Sequence, residues 1–272
     1  MKKIYIILTA VCLLVLVFIG SNLFTSNSNS DKVANSINNA SYMDVNFANN
    51  YISYVLEEGT TLQLNLFGAQ NVSSKGPSYF DSVKNISLDN ESIEIIDYEI
   101  SKGQVFQTHQ LFNIVLEVKL NSSSMEKSSQ LTLRYEEGEE ATFDIGRIIL
   151  QDNQDFNQKE LDVTGEENTL AAPVPLLSTN LLNKTSNDLE VNNIYDLAKN
   201  LDANLREKYI INSGQVKKLV ITDFDKATNY DFYTITPIVE YKIDGEIKKY
   251  YLPGVVYGIM EEDSVKMEKI LE

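Results

Sequence analysis

The chain has 272 residues, with 39 acidic against 23 basic side chains and a formal net charge of −16. Nucleic-acid binding rests on Lys and Arg neutralising phosphates, so this balance argues against it. It also disfavours docking by charge on anionic lipid or wall polymer; it favours a basic partner or divalent cations, or simply keeps an outer surface soluble.

Met1-Lys2-Lys3 precedes an uncharged run from Ile4 to Gly20. As a helix this run reaches about 25 Å, and Leu23 and Phe24 extend it toward the ~30 Å hydrocarbon core of a bilayer. No Lys or Arg follows until Lys32, which places the N-terminus in the cytoplasm and the bulk of the chain outside. Residues 1–24 are therefore expected to be a transmembrane signal anchor in a single-pass cell-membrane protein. The alternative is a signal peptide that is cleaved, giving a secreted chain; Gly20-Ser21 is small enough, but no A-x-A pattern is present. A lipoprotein signal at Cys12 is a third reading, from which Thr9 and Val11 depart. Cys12 is the sole cysteine, so the external part has no disulfide and no thiol nucleophile. The Asn-, Ile- and Lys-rich, cysteine-poor composition fits a bacterial envelope protein.

Residues 25–41 are rich in Asn and Ser and read as a flexible stalk. Residues 42–150 carry period-2 patterns: Leu62, Leu64 and Leu66, then Phe112, Ile114, Leu116, Val118 and Leu120, then Leu131, Leu133 and Tyr135. Such alternation puts one face of a sheet in a core and the other in water. With Tyr51–Leu56, Ile93–Ile100 and Ala141–Leu150 as further strands and turn-like breaks between them, this stretch predicts a β-sandwich-like domain. Residues 151–187 hold many acids and Pro173 and Pro175, and read as a linker.

Residues 188–272 predict a small α+β domain. Asn187-Asp188 resembles a helix cap, and Ile194, Leu197, Ala198, Leu201, Leu205 and Tyr209 fall at helical spacing. An antiparallel meander follows: Val216–Thr222, Phe232–Ile243 and Glu246–Tyr257, the last two joined by Asp244-Gly245, a type I′ hairpin signal. Pro237 and Pro253 predict an edge position or a bulge near each. The tail from Glu261 forms a last strand or a short helix. The fold class expected is thus mainly β: a transmembrane helix, a β-sandwich-like domain, then one helix on a meander.

Chemistry is sparse. His109 is the only histidine, in a turn before a strand, so a His-based triad would have to use it and a zinc site has almost no ligands. No cofactor is expected, with calcium the one metal worth weighing because it takes oxygen ligands. Asp223, Asp225 and Asp231 occupy positions 1, 3 and 9 of a loop, but Ala227, Thr228 and Thr234 depart from the EF-hand pattern and favour a solvated turn. Tyr230, Tyr233, Tyr241, Tyr250, Tyr251 and Tyr257 crowd the C-terminal part. They serve either as strand packing or as a contact surface for a protein or polymer. These features point to a non-enzymatic, membrane-anchored extracytoplasmic binding or accessory module. It would partner the membrane through its helix and another envelope protein in an envelope, transport or secretion complex. The alternatives are a carboxylate-dependent cell-wall hydrolase and a structural surface protein or adhesin.

Overall fold

The computed structural model describes residues 44–72, 79–136, 138–153, 159–165, 168–203, 205, 207–222, 224–226, 230–258, 268 and 270. The expected anchor (1–24) and stalk (25–41) lie outside them. Among the described residues no helix is long and apolar enough to cross a membrane. The described part is mainly β.

Three further sheets pack around a central sheet. The first sheet is antiparallel, in the order β1 (Val45–Phe47), β3 (Thr61–Asn71), β6 (His109–Leu120) and β5 (Ile93–Phe106). The central sheet runs β10 (Ala171–Ala172), β20 (Val255–Tyr257), β17 (Phe232–Ile235), β2 (Asn50–Glu57), β8 (Glu140–Asn153), β7 (Glu126–Tyr135) and β4 (Val83–Leu88). It takes strands from both residues 42–150 and residues 188–272. In its middle, β17, β2 and β8 run parallel.

The first sheet packs face to face on one side of β2, β8, β7 and β4, forming a β-sandwich. Its core holds Leu64 and Leu66 of β3, Ile114 and Leu116 of β6, Ile52 and Leu56 of β2, Leu131 and Leu133 of β7, and Ile148 and Leu150 of β8. The period-2 pattern read from the sequence is the cause: every second residue is buried along β3 and β6. The opposite face of the same central strands supplies Tyr51 and Ile149 to a second core. β2 is consequently buried along nearly its whole length, as parallel strands covered on both faces must be.

The second core is closed by two further sheets. One is β15 (Val216–Ile221), β11 (Leu177–Asn183) and β9 (Leu161–Thr164). The other runs β16 (Asp225–Lys226), β13 (Leu201–Ala203), β12 (Leu189–Tyr195), β18 (Ile238–Ile243) and β19 (Glu246–Tyr251), with β14 (Tyr209–Ile211) also pairing β12. The 151–187 stretch expected to be a linker therefore carries β9, β10 and β11. Leu177 and Leu181 alternate with polar residues along β11 and are buried in the core, which is what orders it.

The expected helix over residues 188–209 is not formed; β12, β13 and β14 stand in its place. The apolar residues at helical spacing are spread over the end of β12 (Ile194), the turn after it (Leu197 and Ala198), β13 (Leu201) and β14 (Tyr209), so the spacing comes from separate short strands. A register shift between Val191 and Asn193 breaks the alternation earlier in β12. The apparent cap is displaced as well. Asp196 closes a tight turn by accepting from the backbone N–H groups of Ala198 (3.1 Å) and Leu201 (2.7 Å). Lys199 in that turn has φ 57°. At the far C-terminus, Glu268 and Ile270 have helical backbone.

The Asp244-Gly245 hairpin is formed as expected, with both residues at positive φ (52° and 86°) and Ile243 opposite Glu246. The two prolines interrupt the expected long strands. Phe232–Ile243 divides into β17 and β18 at Thr236-Pro237, and Glu246–Tyr257 into β19 and β20 at Leu252-Pro253-Gly254. Leu252 N–H donates to Pro237 C=O across the break (2.9 Å). One hairpin thus leaves the outer sheet and enters the central one.

Candidate binding cleft

A cleft of about 460 Å3 opens where the beginnings of β2 and β17 meet an irregularity in β8; Asn49, Asp89, Lys127, Ser128, Ser129, Gly146, Arg147 and Tyr230 line it. The irregularity comes from the pairing of β7 with β8. Ser128 lies opposite Ile148 and Gln130 opposite Asp144, so Ile145, Gly146 and Arg147 share a single partner, Ser129. Gly146 has φ 92°, and a Cβ there would run into the backbone O and N of Asn50. Only glycine meets both conditions. The Asn50 side-chain amide pins the bulge by donating to Ile145 C=O (3.2 Å) and Ala48 C=O (2.7 Å).

The other wall is fixed by a reciprocal clamp. Asn49 N–H donates to the Asp231 carboxylate (2.8 Å), and Asp231 N–H donates to Asn49 C=O (2.8 Å). This holds Tyr230 over the ring of Tyr51 at a centroid distance of 4.8 Å, with Tyr233 edge-on at 5.9 Å from Tyr230.

The charges in the cleft are of both signs. Asp89, in the turn before β5, accepts from the Ser128 hydroxyl, from Ser129 N–H (3.1 Å) and from the Ser129 hydroxyl (3.3 Å). Burial pushes its carboxyl up, but these hydrogen bonds outweigh it and hold the group below the usual carboxylate range. Strand pairing sets Lys127 opposite Ile149, on the face that carries the second core. Arg147, two residues before Ile149, shares that face by alternation. Among the described residues neither cation has an ion pair or a side-chain hydrogen bond.

Of the residues singled out from the sequence, only Tyr230 lines this cleft. Tyr233, Tyr241 and Tyr257 are buried in the second core, with Tyr230 and Tyr250 packed against it. Tyr251 packs on Val55, Tyr195 and Ile238. The Tyr241 hydroxyl donates to Glu160 (2.5 Å), which also pairs with Lys248 (2.6 Å). Asp231 is buried in the clamp, Asp225 lies opposite Asp202 in the β13–β16 pair, and Asp223 is outside the described residues. Among the described residues no group of three or more His, Cys, Asp or Glu is placed to hold a metal. His109 opens β6 opposite Phe106. Sequence reading passed over Asp89, Lys127, Ser128, Ser129 and Arg147. The one available signal was Gly146, a glycine inside a strand pattern, which marks a bulge.

No protein family matches the chain, and no curated protein matches it. Among solved structures, it is similar to a protein of unknown function from Porphyromonas gingivalis W83, at 14% identity over 79% of this chain and 100% of that one, with a TM-score of 0.25. It is also similar to the YadV chaperone, at 8% identity over 77% of this chain and 100% of that one, with a TM-score of 0.23. A third is the C-terminal domain of the Streptococcus agalactiae AgI/II polypeptide BspA, at 10% identity, 78% and 98% coverage and a TM-score of 0.22. Likeness this loose carries no argument about fold or function.

Proposed function

We propose that this protein is a non-enzymatic extracytoplasmic module, anchored by residues 1–24 and spaced from the bilayer by the 25–41 stalk, that binds a component of the envelope through the cleft at the β8 bulge. The observation that carries the reading is the cleft itself. Two cations that have no partner among the described residues and a set of hydrogen-bonding side chains converge where strands from both halves of the chain meet. A few convergent polar groups in a concavity of this size suit a ligand site. A glycan-cleaving enzyme needs a pair of carboxylates, one with its pKa raised. Among the described residues the cleft instead offers one carboxylate, Asp89, held below its usual range by serine donors.

The test is site-specific photo-crosslinking of the full chain in intact cells. A photo-reactive side chain in place of Lys127 is expected to give a defined adduct, and adding Arg147→Gln is expected to reduce its yield. The control position is Ile247, exposed on β19. Equal labelling at the two positions would remove the cleft from the proposal.

A further inference from the structure

We infer that the cleft at the β8 bulge recognises a sugar bearing a single carboxylate, an inference that rests on the cleft being a binding site. The donor and acceptor inventory leads to it. Arg147 and Lys127 can only donate, and in the cleft they call for an anionic acceptor. An arginine guanidinium matches a carboxylate with two parallel hydrogen bonds, which a lysine ammonium cannot do.

Ser129 has the opposite need, whereas Ser128, opposite Ile148 of the first core, is buried. The Ser129 hydroxyl proton is committed to Asp89. Its remaining lone pairs can therefore only accept, and so can Asp89 itself. The ligand must bring hydroxyl donors along with its anion. Asn49 adds one more polar side chain to the wall, and Tyr230 adds an aromatic ring already ordered by its contact with Tyr51. Ordering the ring beforehand lowers the entropy lost on binding.

The cleft's size and the charge of the chain narrow the class further. A volume of about 460 Å3 admits a small sugar. The surrounding chain carries −16, so a densely charged polyanion would be repelled as it approached. A singly charged ring feels that field least, because charges beyond about 8 Å are largely screened at physiological ionic strength.

Isothermal titration of the full-length protein in detergent, with glucuronate and with glucose as probes, tests this. Glucuronate is expected to bind, and glucose at least about tenfold more weakly, the value of one charge-assisted contact. Arg147→Gln is expected to weaken glucuronate about tenfold and Lys127→Gln to weaken it less. Thermal unfolding of both variants checks that they fold. Equal binding of glucose and glucuronate, or an unchanged affinity in Arg147→Gln, overturns the inference. If the Lys127 adduct forms in cells while glucuronate does not bind, the sugar assignment fails and the binding-module reading stands. Binding of glucuronate without any adduct in cells keeps the cleft as a sugar site and removes the envelope component as its occupant.

Discussion

The two cores share β2 and β8 but were encoded differently. The first is built on long strands in which every second residue is buried, as in β3 and β6. The second is assembled from short strands, several of only three residues, that cross between sheets. Its polar needs are met by side chains as much as by strand ladders. Tyr51 donates to the fully buried Asp196 carboxylate (2.5 Å), which the Ala198 and Leu201 N–H groups also satisfy. The comparison teaches that long regular strands carry their fold in local pattern, whereas short ones depend on contacts made far away in sequence.

The largest expected effect comes from the residue that lets both cores meet at β8. Gly146→Val puts a β-branched side chain at φ 92° and against the Asn50 backbone. A loss of about 3 kcal/mol or more is expected from strain and overpacking together. Urea unfolding followed by circular dichroism measures it; a loss below about 1 kcal/mol would mean that the bulge relaxes freely.

Tyr51→Phe comes next and tests the second core alone. It removes one donor from a buried carboxylate and should cost about 1.5–3 kcal/mol, the range for hydrogen bonds to charged groups. If Asp196→Asn in the Phe background recovered none of that loss, the charge on Asp196 would not be its cause.

Alkaline pH should separate the two regions. Burial is the first cause that raises Tyr51 and the C-terminal Tyr195, Tyr209, Tyr233, Tyr241, Tyr250 and Tyr257, with Tyr209 and Tyr250 pushed to about 12, whereas on the first core it raises Tyr54. Each of these phenols binds its proton more tightly folded than unfolded. The stability they confer is therefore complete below the unfolded value of about 10 and falls as pH rises through 10 to 12. Urea midpoints taken for each core between pH 9 and pH 12 should show the first core outlasting the second. Simultaneous loss of both would mean that they unfold as one unit.

The smallest effect is expected for Arg147→Gln. Its guanidinium holds no protein partner among the described residues, so the unfolding free energy should change by no more than about 0.5 kcal/mol. A larger loss would assign Arg147 to stability rather than to the cleft.

Sequence alone determined the long strands of the first core, though not β1 or β4, because a period of two over Leu62, Leu64 and Leu66 or over Ile114, Leu116 and Val118 has one structural meaning. It also determined the Asp244-Gly245 turn, where positive φ at both positions selects those residues. Only the tertiary structure decided the rest. The helix expected from Ile194 to Tyr209 gave way to β12, β13 and β14, because apolar residues shared among short strands and the turns between them imitate helical spacing in one dimension. The candidate cleft was hidden for a related reason. Asp89, Lys127, Arg147 and Tyr230 are separated by up to 141 positions in the chain, and nothing local marks them as neighbours. The parallel pairing of β17, β2 and β8, with β7 antiparallel beside β8, brings them together, and such pairing joins distant segments whose own residues show only that they are to be buried.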